Sequence, residues 1–385
     1  MKQDALDFLK KIVRIQSINP PGNERLVALE IQELLRQHGL ETNLIDFEAG
    51  RANLVAWLRG TDERPNRRVL GFSGHMDVVP PGQVQWTHAP FAAVEEDGKL
   101  YGRGTSDMKG GLVALIFAMI SLKEEGLRLN GDLKLLASAG EEVAAVGAKQ
   151  LVATGHLRDV TALVIAEPTH DDVVVAHKGA LWVEIVTYGK TAHGSTPRLG
   201  RNAIEHMNQI MTALLTDFKM DYRPDEILGE PTFNIAVIEG GVKTNVVPDR
   251  CSIQVDFRTV PSQSHEDILQ QLRRLIDRVK ERVPNLSAEI RVLNDLPSIA
   301  TAKDDPFVSI VEDATEDTYG TRKTVRGMAG YTDGAAFVGA DTGVPIVIIG
   351  GGDDRLAHQP DEYIEIDRFL HSIELYKTIA KKYLQ

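Results

Sequence analysis

Val69-Leu70-Gly71-Phe72-Ser73-Gly74-His75-Met76-Asp77 is an apolar run that breaks at a glycine and then presents a histidine and a carboxylate two positions apart. Residues 69–74 have the length and composition of a buried strand. On the C-terminal side the pattern alternates: 108–125 is helical, 132–138 strand-like, 143–154 helical and 163–166 a short buried strand. Alternation of this kind predicts parallel crossovers and an α/β sheet. On the N-terminal side, residues 1–20 read as an amphipathic helix with Leu6, Leu9 and Val13 at helical spacing. A second helix covers 24–38, with Leu26, Val27, Leu34 and Leu35 on one stripe and Gly39 as its stop. Strand-like runs follow at 42–47 and 53–58.

The period changes further along. Residues 181–187 alternate as a strand, 202–218 are helical, 232–238 and 251–258 read as paired strands, 265–283 are helical and 288–293 form a last strand. This β-α-β-β-α-β order predicts a compact two-layer α+β unit, ferredoxin-like in type, inserted into the first domain. A helix at 307–319, a buried strand at 344–349 and a closing helix at 367–384 resume the first pattern. Residues 1–178 and 294–385 are therefore expected to form one domain, split by an insertion at 179–293. A chain of 385 residues exceeds the roughly 250–300 residues that one hydrophobic core usually serves.

Composition narrows the function. With 43% apolar and 25% charged residues and a formal charge of -12, the chain reads as a soluble globular protein. The acidic balance disfavours nucleic acid and anionic membranes as partners. Cys251 is the single cysteine, which excludes an internal disulfide and thiolate-held zinc, and fits a reducing, cytoplasmic setting. Residues 1–20 lack the apolar core of a signal peptide, and the longest apolar run, 112–120, is far short of the ~20 residues that span a bilayer.

In open α/β sheets, ligands gather beyond the carboxyl ends of the strands. His75 and Asp77 follow the strand at 69–74, Glu141 and Glu142 follow 132–138, and Glu167 follows 163–166. Asp107 closes a glycine-rich turn, Gly102-Arg103-Gly104-Thr105-Ser106-Asp107, just before a helix, where amide dipoles favour a carboxylate. Each has a modest explanation alone. Glu95-Glu96 and Glu124-Glu125 show that acidic doublets are common here, Asp107 suits a helix cap, and His358 suits a hydrogen-bonded core or surface histidine. As a set they offer oxygen and imidazole donors for two neighbouring divalent cations. Zinc, cobalt and manganese all accept such donors. Neither glycine cluster suits a nucleotide: the 102–107 turn lacks the third glycine of a dinucleotide fingerprint, and Gly350-Gly351-Gly352 is not followed by Lys-Ser or Lys-Thr. The latter reads as close backbone approach beside His358.

Five segments together carry a family resemblance. They are Gly74-His75-Met76-Asp77-Val78-Val79-Pro80, Tyr101-Gly102-Arg103-Gly104 through Asp107-Met108-Lys109-Gly110, Gly140-Glu141-Glu142, Ala166-Glu167-Pro168, and Ala357-His358-Gln359-Pro360-Asp361-Glu362-Tyr363. In this order the chain resembles the acetylornithine deacetylase/succinyl-diaminopimelate desuccinylase family of di-zinc amidohydrolases over nearly its whole length. The resemblance implies a zinc-exopeptidase-like catalytic domain with a mixed, largely parallel sheet, carrying an inserted lid and dimerisation domain. It implies that Asp107 bridges two metals, that His75 and Glu167 complete one site, and that Glu142 and His358 complete the other. Glu141 would be the general base, Asp77 would accept the other ring proton of His75, and the Asp107-Met108 peptide would be cis.

The resemblance also implies roles in the insertion. His193, within Lys190-Thr191-Ala192-His193-Gly194-Ser195, would donate to the oxyanion in a homodimeric partner's site. Arg258 would hold a substrate carboxylate bidentately, with Asn245 and the loop residues Gly330 and Thr332 facing the substrate. The implied reaction is hydrolysis of the amide of a small N-acyl amino acid. N-succinyl-LL-2,6-diaminopimelate is the favoured substrate; acetylornithine and dipeptidase or carboxypeptidase substrates are alternatives. A catalytically silent binding or scaffold protein is the reading from a different class. A missing ligand or a missing Glu141 would favour it, and neither is missing.

Overall fold

Strand Val69–His75 is buried along its whole length, as a run without polar alternation requires when both faces of a sheet are covered. The computed structural model describes residues 1–64, 66–340 and 343–385. The chain divides into two units: Met1–Ala176, Ile299–Gly327 and Thr332–Gln385 form the first, and His177–Ser298 with Met328–Tyr331 form the second.

The first unit is built on one mixed sheet. Its strand order is Glu41–Glu48, Arg51–Leu58, Asp132–Ser138, Val69–His75, Ala162–Ile165, Ile346–Ile348, Val173–His177 and Ile299–Ala300, with Val325–Met328 also paired to Val173–His177. Val69–His75 runs parallel to both Asp132–Ser138 and Ala162–Ile165, and Ala162–Ile165 runs parallel to Ile346–Ile348. Outside this centre the pairings of Arg51–Leu58 with both its neighbours, and of Ile346–Ile348 with Val173–His177, are antiparallel. The expected mixed, largely parallel sheet is found as a mixed sheet, with its parallel pairs at the centre and antiparallel pairs on the flanks. Strands Glu41–Glu48 and Arg51–Leu58 are joined by a tight turn, which only antiparallel neighbours permit.

The parallel centre matters because it aligns strand ends. His75 pairs with Ser138, and Ser73 with Ile165, so the loops after all three strands leave along one edge. Helix Lys109–Glu124 is buried from Lys109 to Leu122, which accounts for the long apolar run in the sequence. It reaches the sheet closely because Gly111 lacks a side chain: a Cβ there would sit 1.9 Å from the Ala166 carbonyl oxygen. A small antiparallel sheet of Tyr363–Glu365, Lys99–Tyr101 and Val94–Glu96 ties the end of the chain to the segment before Asp107. Among the described residues no helix is long and apolar enough to cross a membrane.

The second unit contains the β-α-β-β-α-β order. Its sheet runs Thr232–Gly240, Arg250–Thr259, Gly179–Tyr188, Ser287–Leu296, all antiparallel. Helices Ala203–Thr216 and His265–Arg282 cover it, and each has a side-chain cap, from Asn202 and Ser264. Leu181, Val183, Ile185, Met207, Ile210, Phe257, Leu272 and Ile276 form the shared core. The expected boundary at 293/294 falls inside strand Ser287–Leu296. The units part after Ser298 instead, because the ladder to Gly179–Tyr188 continues to Leu296.

Candidate metal centre

Asp107 sits between two imidazoles. Its Oδ1 lies 3.2 Å from His75 Nε2, and its Oδ2 lies 3.4 Å from His358 Nε2. Glu167 Oε1 is 3.7 Å from His75 Nε2, and Glu142 Oε1 is 3.0 Å from His358 Nε2. The five residues thus form two sets that share one carboxylate. Donor atoms of His75, Asp107 and Glu142 lie within 4.8 Å of one another. All belong to the first unit. His75, Glu141 and Glu167 are buried, while the side chain of His358 is 53% exposed, so the set opens to solvent on its side.

The neighbouring main chain is shaped to deliver these groups. The Asp107-Met108 peptide is cis. After strand Asp132–Ser138 the turn bearing Glu141 and Glu142 places Ala144 and Ala145 at φ 68° and 52°, a left-handed conformation that costs energy for a residue with a Cβ. Gly350 and Gly352 allow close approach to the ligand-bearing segments: a Cβ would lie 2.6 Å from the Glu167 carbonyl oxygen at Gly350, and 2.5 Å from that of Ser106 at Gly352.

Asp77 serves differently from expectation. His75 Nδ1 is 3.0 Å from the Asp77 main-chain carbonyl oxygen and 3.6 Å from its carboxylate. A carbonyl only accepts, so Nδ1 carries the proton and Nε2 is the nitrogen facing Asp107 and Glu167. The carboxylate instead accepts N–H bonds from Gly140, Glu141 and Glu142 at 2.8, 3.2 and 3.2 Å, and from the Asn19 amide at 3.0 Å. The expected bond from the His75 ring to the Asp77 carboxylate is corrected accordingly: its oxygens are occupied by the turn that carries Glu141 and Glu142.

Electrostatics at the centre are those of crowded acids. Burial and the charges of Glu142, Glu167 and Asp333 push Glu141 well above the usual carboxyl range, against the opposing pull of His75. Burial and Asp107 do the same to Glu167, again against His75. Burial alone would lower His75, but Glu167, the bond to Asp107 and Asp77 outweigh it and hold the imidazole well above its ordinary value. Hydrogen bonds to Asp107 and Glu142 push His358 up to about 10. Burial opposes ionisation of Asp107, yet the bonds from His358 and His75 leave it lowered. The carboxylates demand positive charge, and the imidazoles meet that demand only by taking protons. Divalent cations would meet it with both imidazoles neutral, so the donor set fits them.

The remaining expected residues are described by their local partners. Thr332, in the first unit, is buried and its hydroxyl accepts the Gly334 N–H at 3.1 Å. In the second unit, exposed His193 bonds Ser195 Oγ at 2.7 Å and bridges to Val246, and the Gly194 N–H donates to the Asn245 carbonyl at 2.9 Å. His193 and Asn245 are therefore neighbours. Arg258 Nε donates to Asp256 at 3.1 Å, so its guanidinium already has one acid partner. Gly330 is exposed beside Tyr331, whose ring packs edge-on against Trp182 at 6.3 Å.

Three residues with no assigned role in the sequence reading stand next to the centre. Glu362 is buried and accepts N–H bonds from the Asp107 turn. Asn19 reaches Asp77 across 58 positions of sequence. Asp333 bonds Ser138 and has one buried oxygen without a hydrogen-bond partner among the described residues. A carboxylate four positions after His358 was the available signal for Glu362. Asn19 had none, because its partner is fixed by tertiary packing.

Residues 71–382 match the model of peptidase family M20/M25/M40. The chain belongs to the M20/M25/M40 peptidase family. It is a hydrolase of the metallopeptidase and amidohydrolase type. A Staphylococcus epidermidis relative named probable succinyl-diaminopimelate desuccinylase is 32% identical over 410 aligned residues, covering 100% of this chain and 98% of the relative. The acetylornithine deacetylase of Vibrio parahaemolyticus is 28% identical, covering 94% of this chain and 92% of that one. Solved M20 structures share the fold. The metallo-carboxypeptidase Sso-CP2 of Sulfolobus solfataricus aligns with a TM-score of 0.83 at 23% identity, covering 98% of this chain and 99% of that one. A dinuclear metal-binding M20 peptidase of Bacillus subtilis aligns at 0.75 and 17% identity, covering 100% and 98%.

Proposed function

We propose that this M20 enzyme holds two divalent cations, most naturally zinc, and hydrolyses the amide of an N-acyl amino acid, with N-succinyl-LL-2,6-diaminopimelate as its substrate. The observation that carries the reading is Asp107 lying between His75 with Glu167 and His358 with Glu142. When bound, such ions polarise the scissile carbonyl and make water more acidic. The residues of the chain supply the remainder. Asp107 spans both sets of donors, and the main-chain carbonyl of Asp77 orients the His75 ring. Glu141 is adjacent to Glu142 and buried, with burial raising its carboxyl. That places a proton carrier where water's proton can be taken up on a carboxylate oxygen and later released to the leaving amine.

The desuccinylase reading is supported by a relative of that name that aligns over the whole chain. Acetylornithine is the second substrate to test, on the strength of the Vibrio relative. A silent scaffold would have no need to assemble Glu141 and all five donors. The second unit is read as a pairing surface for another copy: edge strand Thr232–Gly240 leaves Val237 39% and Ile238 57% exposed, and an unpaired apolar edge invites association. The deciding experiment is turnover by the zinc-loaded protein of N-succinyl-diaminopimelate, N-acetylornithine and a dipeptide panel. Faster turnover of either of the other two than of the succinylated substrate reassigns the specificity, and inactivity on all three removes the reading.

A further inference from the structure

The turn from Arg103 to Asp107 has no regular ladder to hold it. Gly104 takes φ 88°, and the N–H groups of Gly104, Ser106 and Asp107 point to a single side chain. Glu362 Oε1 accepts all three, at 3.0, 2.9 and 3.0 Å. Its Oε2 accepts the Arg103 guanidinium at 2.6 Å and lies 3.1 Å from the Gly104 nitrogen. Glu362 is fully buried and Arg103 2% exposed. An ion pair sealed from water contributes little net stability, because desolvation consumes most of the attraction. Its cost is better explained by what it holds in place.

The same short segment carries His358. Between the two residues, Asp361 accepts N–H bonds from Thr87 and His88 at 2.7 and 3.3 Å, and beyond them Tyr363–Glu365 pairs with Lys99–Tyr101. One stretch of chain therefore presents His358 to Glu142 and, four residues on, grips the main chain that presents Asp107.

We propose that Glu362 is the positioning residue for the shared carboxylate, fixing Asp107 by clamping the main-chain N–H groups of its turn. The inference rests on the reading that Asp107 spans two bound cations. A bridging carboxylate must be held within about 0.5 Å of its working place, and a charged acceptor with several donors is a strong way to hold it. Glutamine in its place keeps one accepting oxygen but turns an N–H₂ group toward a donor. Asp77 does the equivalent for the turn of Glu141 and Glu142, so both acid-bearing turns hang from buried carboxylates.

The test is zinc affinity, measured by chelator competition on the full chain, independently of turnover. Glu362→Gln is expected to weaken binding about 10–100-fold, the usual cost of losing a group that orients a ligand, with the near-ultraviolet circular dichroism of the metal-free protein unchanged. In the background of Asp107→Ala, the same substitution should cost much less, since the clamp acts through Asp107. Arg103→Met leaves the three N–H donors in place and should cost less than Glu362→Gln. Unchanged affinity in Glu362→Gln, or an equal loss with and without Asp107, overturns the proposal. Should Glu362→Gln not fold, Glu362→Asp, one methylene too short to reach all donors, carries the same comparison. Failure of the unmodified chain to bind zinc would instead overturn the two-cation reading.

Discussion

His75 Nδ1 faces the carbonyl oxygen of Asp77 at 3.0 Å, while the Asp77 carboxylate stands 3.6 Å away and turns to the N–H groups of residues 140–142. One residue thus orients a histidine with its main chain and a second acid-bearing turn with its side chain. Asp77→Asn should keep the His75 ring oriented but loosen the Glu141–Glu142 turn. We expect kcat to fall about 10–100-fold with zinc on the His75 side retained. A crystal structure of the variant showing a rotated His75 ring would assign the orientation to the carboxylate after all.

Glu141 contributes to neither pair of donors around Asp107, although it is buried beside them. Glu141→Ala is therefore predicted to lower kcat by about 10²–10⁴-fold, the range of general acid–base catalysis, and to leave the zinc content near two per chain. Metal analysis after dialysis checks this, and a variant with one equivalent or none would make Glu141 a ligand.

Cation removal should destabilise the protein, because crowded carboxylates lose their neutralising partner. Ligand linkage gives about 2.7 kcal/mol at a free metal concentration a hundredfold above Kd. The first unit contains the whole donor set. Zinc should accordingly raise the melting temperature of the wild type and leave that of a His75→Ala, His358→Ala double variant nearly unmoved. Equal shifts in both would place the stabilising ion elsewhere.

Phe257 is fully buried, with Phe218 and Phe233 rings 5.9 and 5.7 Å from its own. Phe257→Ala should cost about 3–5 kcal/mol, measured by urea unfolding. Since the core it opens belongs to the second unit, zinc affinity at the first-unit centre should be unchanged under native conditions. A loss below 1 kcal/mol would show that the ring cluster contributes little.

The central strands and the acids at their ends were legible because burial on both faces writes short apolar runs, as at 69–72 and 135–137, each ending just before an acid-bearing loop. The β-α-β-β-α-β unit was legible through its change of period. Strands Val94–Glu96, Lys99–Tyr101 and Tyr363–Glu365 were not, being three residues each, with Tyr363–Glu365 paired to Lys99–Tyr101 across more than two hundred positions and Val94–Glu96 paired to that same strand in a short hairpin. The parallel centre could be inferred from alternation, but the antiparallel flanks arise from a tight turn at Glu48 to Arg51 and from tertiary pairing. At the site, residue types pointed to the side chains that the fold gathers around Asp107. The assignment of Asp77 to a turn rather than a ring depends on differences under 1 Å, which no spacing in sequence expresses.

The acid limb of stability should report His177, at the end of strand Val173–His177. Its Nδ1 donates to the Lys178 carbonyl at 2.9 Å, and burial drops the imidazole to about 4 from 6.5. Above pH 6.5 both folded and unfolded forms are neutral at this residue, and it has no effect on the pH slope. Between 6.5 and 4 the unfolded chain binds a proton that the folded chain does not, so stability falls as pH falls. Below 4 both are protonated and the loss is complete, at about 3 kcal/mol. Urea unfolding at pH 7, 5.5 and 4.5 measures the slope. His177→Gln is expected to flatten it over this window, while a slope identical to that of the wild type would move the acid sensitivity to other groups.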